Sequence, residues 1–254
     1  MPLPDPTTFL LVLARFAGLV VAAPVLGHAL VPVRIRAGLA GLLALAIAPA
    51  LPVAPAPADI WALAGALAVE TALGTLVGLV VQFVLAGVEL GGQVAGIQMG
   101  FGIANVIDPQ ANAQVTIVAR WQQALALLVF LALDVHHLLI RALLESFRAA
   151  PAGVVAPDGL GLRGAVALAG ELFAVGVRIA APVVIALLLT NAALGVLART
   201  IPQLNVFVVG LPVNVGVGLV MLGVSLPFTF RLVAARVAAL EPTLGDLVRG
   251  LAHG

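Results

Sequence analysis

The sequence predicts an all-α, membrane-associated protein of long, kinked helices, and three observations carry that prediction. Of its 254 residues, 63% are hydrophobic and 9% charged, and the mean hydropathy is +1.22. A soluble domain carries about a quarter of its residues as charges. Several apolar stretches reach the roughly 20 residues that cross a hydrocarbon core about 30 Å thick. Leucine and alanine dominate them without strand-like alternation, and backbone in lipid must satisfy its own hydrogen bonds, so helix is the default. Cysteine is absent, which excludes disulfides and thiolate metal sites. The twelve basic residues are all arginine, the net charge is +1 and no basic cluster occurs, so nucleic acid is not an expected partner.

Taken in order, the apolar segments lie near 7–31, 33–49, 60–88, 120–140, 164–198 and 204–240. The first follows Asp5 with no basic residue before it, whereas a cleavable signal carries a positive leading region; it reads as a retained segment. Pro24, Pro182, Pro212 and Pro227 fall inside segments and predict kinks or breaks. Residues 49–59 and 151–161 are loops by composition. Simple alternation of six spans puts Arg34, Arg36, Arg120 and Arg199 on one side. Arg141, Arg148, Arg163, Arg231, Arg236 and Arg249 then fall on the other, which is no positive-inside bias. Three segments also exceed one perpendicular span. The helices are therefore tilted and broken, or the protein is not an ordinary lipid-bathed bundle.

Within 60–88, Glu70, Gly74, Gly78 and Gln82 recur at every fourth position, along one slowly drifting helix face. Small residues at this spacing let another backbone approach closely, and packing drives helix association in lipid. The carboxylate in the stripe must meet a donor or reach water. It is either a proton site or subunit contact, or a structural tie from Glu70 to an arginine or to backbone. Glycines then recur at 87, 91, 92, 96, 100 and 102, as a packing surface or as backbone leaving helical geometry. Gly100 and Gly102 flank Phe101, and the pair Asp108-Pro109 biases the chain away from helix. A loop or broken helix is expected from about 99 to 110, in the stretch "QMGFGIANVIDP" with Gln98, Met99 and Asn105. Such backbone at membrane depth lines or blocks a passage; the alternative is an aqueous surface loop.

His136 and His137 are adjacent and point about 100° apart on a helix, which disfavours chelation of one ion; they read as helix-end polar residues. Pro182 leaves the Arg178 carbonyl without its helical donor, giving a polar spot or a bend. In "LGVLARTIPQLNVFVVGLP", Leu194 to Pro212, Arg199, Pro202, Gln203 and Asn205 form a polar turn between two apolar arms, with Asn205 able to cap the second. That is a helical hairpin. No Walker motif, GxSxG, HExxH or dinucleotide fingerprint occurs, and nothing supports an enzyme or a cofactor.

The string "RTIPQLNVF" resembles the FliR family of flagellar biosynthetic export-gate proteins, related to components of virulence type III secretion systems. "ARFAGLVVAAPVLGHALVPVRIRAGLA" is similar to the family's opening, "AGIQMGFGIANVIDPQ" to its central loop, and "HHLLIRALLESF" to its histidine–serine–phenylalanine stretch. The loop version followed by "DPQANAQ" leans to the flagellar branch. The resemblance implies one integral-membrane domain of helical hairpins. Residues 1 to about 150 would be a FliP-like part, and about 151–254 a FliQ-like hairpin part. It further implies a non-catalytic export-gate subunit in the bacterial inner membrane, at the flagellar basal body. FliP-like and FliQ-like subunits would be its partners, with FlhA-like and FlhB-like components nearby and unfolded flagellar substrates in transit. The loop at 96–110 would help close the pore. Unlike many relatives, this chain has Val213 and Asn214 rather than lysine after the "GLP" proline, so no role of that charge carries over.

Two other classes fit parts of the pattern. A secondary transporter of a small solute also uses broken helices and intramembrane acids, though it usually shows internal repeats and none is convincing here. A scaffold without a pore would need only the packing surfaces. A virulence-type homologue is the nearest variant of the gate itself.

Overall fold

The computed structural model describes residues 5–27, 31–55, 57–102, 115–154, 162–201, 203, 205–240 and 242, without the side chains of 162–169, 171, 206 and 207. Among the described residues the chain is helical with no strand. Seven α-helices follow one another among these residues: α1 (Pro6–Ala22), α2 (Val33–Ile47), α3 (Ile60–Gln98), α4 (Ile117–Ala132), α5 (Val135–Ala149), α6 (Leu162–Thr200) and α7 (Val206–Ala238), with a 3₁₀ turn at Ala48–Ala50. Length and composition make α2 with its 3₁₀ turn, α3, α6 and α7 fit to cross a membrane.

Local chemistry sets several boundaries. Asp5 caps α1 by accepting from the Thr7 and Thr8 amides, both at 3.1 Å, and Pro6 occupies the first turn, where its missing N–H costs nothing. Pro24 follows the end of α1 rather than kinking it, while Pro182, Pro212 and Pro227 lie inside continuous helices. The expected single segment at 120–140 is two helices, α4 and α5, bent by 63°. No proline causes that break: Asp134 takes a left-handed conformation, φ 52°, which its short polar side chain tolerates and a helix cannot propagate through. Helix α3 runs ten residues past the expected end at 88, because its later glycines pack rather than unwind.

The chain divides into two compact units: 1–83, 130–169 and 236–254, and 84–129 and 170–235. In the first unit α1 and α2 pack together. Leu11, Val12, Phe16 and Leu19 of α1, Leu73 and Val77 of α3 and Leu139, Leu143 and Phe147 of α5 are buried core residues. Phe16 and Phe147 have ring centroids 6.2 Å apart. Helices α1 and α3 run parallel: Gly18 meets the Thr71–Thr75 backbone, Gly74 meets Arg15, and Gly78 meets Ala22.

In the second unit the rest of α3 packs parallel to α6. Gly87 meets Leu172 and Val175, Gly91 meets Gly176 and Ile179, and Ala95 and Met99 share a core with Val183 and Leu187. Helix α7 returns antiparallel to α6. Leu194 lies beside Gly210, the Asn214 side chain donates to Asn191 at 2.9 Å, and Leu222 joins Val183 and Leu187.

Candidate functional site

The first candidate region is the buried centre of the first unit. Arg15, wholly buried, donates from Nε to Glu70 Oε2 at 2.5 Å, from one terminal nitrogen to Ser146 Oγ at 3.0 Å and from the other to the Ala150 carbonyl at 3.0 Å. The Ser146 hydroxyl in turn donates a hydrogen bond to the Leu143 carbonyl, and the guanidinium carbon lies 4.1 Å from the Phe147 ring centroid. The second Glu70 oxygen accepts from the Gly153 amide at 2.9 Å, where Gly153 adopts a left-handed φ of 78° that suits glycine. Each guanidinium nitrogen and each carboxylate oxygen thus has a partner inside the chain. A buried ion pair survives when its geometry is good and its remaining hydrogen-bonding capacity is met, and here both hold.

The stripe beside Glu70 splits. Gly74 and Gly78 are buried against α1, and a Cβ at Gly74 would collide with the Arg15 carbonyl. Gln82 is exposed. The reason is length: Gly78 already meets Ala22, the last residue of α1, so no α1 residue is left to meet Gln82 one turn on.

The second region is the glycine-rich stop of α3. The Phe101 amide donates to the Gly96 carbonyl at 3.0 Å and the Gly100 amide to Ile97 at 3.0 Å, with Gly100 at φ 100°. This is a Schellman ending, in which a left-handed glycine folds the chain back over the last turn. Met99, wholly buried, anchors it in the core of Ala95, Val118, Val183, Leu187 and Leu222, with Phe101 packed alongside. Gln98 is exposed. On the far side of the segment, the Thr116 amide donates to Gln93 Oε1 at 2.7 Å and its hydroxyl to the Gly92 carbonyl at 3.4 Å. A Cβ at Gly96 would run into Thr116. Both ends of 103–114 are therefore fastened to the same turn of α3. Asn105, Asp108 and Pro109 lie outside the described residues.

At the hairpin turn Arg199, Gln203 and Asn205 are all exposed, and Pro202 lies outside the described residues. Asn205 caps α7, its side chain and its carbonyl both accepting from Val208. The adjacent histidines come closer than a 100° separation suggests. Their rings tilt to a centroid distance of 4.2 Å, and Asp134, His136 and His137 offer three ligand atoms within 4.8 Å of one another. They stand in the first turn of α5, where the helix dipole opposes a cation.

Sequence reasoning missed Arg15 and Gly153 as partners of Glu70, Ser146 as a partner of Arg15, and Gln93 and Thr116 as the clamp. Arg15 carried a legible signal, since it is the single charged residue between Asp5 and Arg34 in an apolar segment.

Residues 7–240 match the bacterial export proteins, family 1. The chain is 37% identical over 244 residues to the flagellar biosynthetic protein FliR of Bacillus subtilis (strain 168), covering 94% of each. It is 34% identical over 247 residues to that of Escherichia coli (strain K12), covering 94% and 92%. The protein of the same name from Caulobacter vibrioides is 32% identical over 85% of this chain and 87% of its own.

Proposed function

This chain belongs to the bacterial export proteins of family 1, and on that premise we propose that it is a non-catalytic core subunit of the flagellar protein export gate. Similarity to flagellar biosynthetic proteins over nearly the whole of both chains supports the flagellar branch over a virulence-type one. FliP-like and FliQ-like subunits, the latter beside the α6–α7 hairpin, are the partners this reading assigns, with FlhA-like and FlhB-like components close by. Its place is the bacterial inner membrane at the flagellar basal body, where unfolded flagellar substrates pass. The FliP-like part is then roughly 1–150 and the FliQ-like part 151–254.

One observation carries the role of the central loop: the Schellman stop at Gly100 and the Thr116 clamp fasten both ends of 103–114 to one place on α3. A segment with fixed ends can close a passage and move aside without disturbing the helices that hold it. Glu70, with both oxygens engaged, serves assembly and folding in this reading rather than proton passage.

Gentle purification of tagged protein from native membranes, with co-purifying chains identified by mass spectrometry, tests the assignment. FliP-like and FliQ-like chains in one large particle are expected; a small particle of this chain alone overturns it. Deleting residues 100–105 in the assembled particle should raise ion conductance, and unchanged conductance removes the loop's role.

A further inference from the structure

The helices α6 and α7 form an open cleft of about 450 Å³, lined by Arg178, Ala181 and Pro182 on one side and Met221, Val224, Ser225 and Phe228 on the other. Its surface is apolar, and Ser225, the one hydroxyl residue in the wall, donates inward to the Leu222 carbonyl at 3.0 Å. Arg178 stands exposed at the cleft and makes no ion pair or hydrogen bond with any described residue. An arginine on a helix fit to cross a membrane needs an anionic or strongly accepting partner.

The level of Arg178 identifies that partner. Between Arg178 and Arg199, residues 179–198 carry no charge. At 1.5 Å per residue these twenty span about 30 Å, the thickness of a hydrocarbon core. On α7 no charge occurs from Val206 to Pro227 and on to Arg231, one turn beyond Phe228 in the cleft wall. The antiparallel register therefore brings Arg231 to the same end of the hairpin as Arg178. Arg231 spends only Nε, on the Pro227 carbonyl at 3.2 Å. Inside the slab the Asn214 Nδ2 donates to Asn191 and the Thr190 hydroxyl to the Ala186 carbonyl. Arginines at both boundaries of an uncharged, 30 Å hairpin are where lipid phosphates lie, and an arginine fork suits phosphate.

We propose that this cleft is a binding site for an anionic phospholipid. The Arg178 guanidinium holds the headgroup phosphate, assisted by Arg231, and one acyl chain lies along Pro182, Val224 and Phe228. The exposed Val177, Val220 and Val224 continue the apolar surface around it.

The test is native mass spectrometry of the full-length protein in mild detergent, titrated with dimyristoylphosphatidylglycerol or with dimyristoylphosphatidylcholine, which share acyl chains and differ in net charge. The wild type should retain the anionic lipid about tenfold better, the scale of one charge-assisted contact. Arg178→Gln should abolish that preference, Arg178→Lys should keep most of it, and Arg148→Gln, on exposed α5 surface, should leave it intact. Val224→Trp fills the cleft from a position already 69% exposed and should weaken both lipids together. Equal retention of the two lipids, or preference surviving Arg178→Gln, overturns the site. Retention of a partner protein that depends on Arg178, with no lipid, replaces the phosphate with a partner's carboxylate and also overturns it.

Discussion

The two halves of α3 each pack against a parallel helix through glycines, yet they are fastened by different chemistry. From Glu70 to Gly78 the helix meets α1, and the contact is locked by a buried ion pair with four further oriented hydrogen bonds around it. From Gly87 to Met99 the helix meets α6, and the contact is made by small residues and an apolar core without a buried ion pair among the described residues. Ionic hydrogen bonds are directional and punish displacement, whereas apolar contacts tolerate small shifts. The rigid contact lies in the buried centre of the first unit and the tolerant one, in the second, beside the loop that the gate reading requires to move.

The largest expected effect comes from breaking the lock. Glu70→Ala leaves Arg15 buried and unpaired, a loss of about 3–5 kcal/mol. Thermal unfolding of the detergent-purified protein should show it, together with a lower yield of assembled complex and little change in any proton dependence of export. Replacing both partners, Arg15→Met with Glu70→Leu, should recover much of the stability, because two apolar groups leave no orphaned charge. Normal complex yield with an altered pH response in Glu70→Ala would reverse the assignment and make the carboxylate a proton carrier. Met99→Ala comes next, at about 2–5 kcal/mol, since it opens a cavity in the core that holds the Schellman ending. Its distinguishing sign is a leak in the assembled particle, which Glu70→Ala should lack per particle formed.

The helices were legible in the sequence because leucine- and alanine-rich runs need no partner to declare themselves. The stop near 99 and the cap at Asn205 were legible for a similar reason: Gly100 and Asn205 act on backbone within a few residues of themselves. The break at Asp134 was not, since an αL aspartate leaves no mark in composition. Nor was the partner of Glu70, because Arg15 lies 55 residues away and Ser146 is 131 from Arg15. Helical periodicity says which residues share a face, and nothing about which helix that face will meet.

A matched pair of substitutions sharpens the contrast between the halves. Gly74→Ala drives a methyl into the Arg15 carbonyl, which is backbone of the locked helix and cannot give. Gly91→Ala puts its methyl 2.8 Å from the Ile179 Cβ and 2.9 Å from the Gly176 carbonyl, across a contact held by apolar surface alone. Overpacking costs about 1–3 kcal/mol, and Gly74→Ala should fall at the upper end with Gly91→Ala below it. Equal unfolding temperatures for the two variants would show that the ion pair adds no rigidity.

The smallest effect is expected where the stripe leaves its partner. Gln82 continues the spacing of Glu70, Gly74 and Gly78, and periodicity alone assigns it the same importance. Helix α1 ends at Ala22, opposite Gly78, so the Gln82 side chain is exposed and has nothing of α1 to hold. Gln82→Ala should therefore stay within about 0.5 kcal/mol of wild type in thermal unfolding, as exposed substitutions do. In the assembled complex the same variant reports on something the isolated chain lacks. A drop in complex yield at unchanged stability would mean that a partner's helix takes up the stripe where α1 stops, extending the α1–α3 contact between subunits.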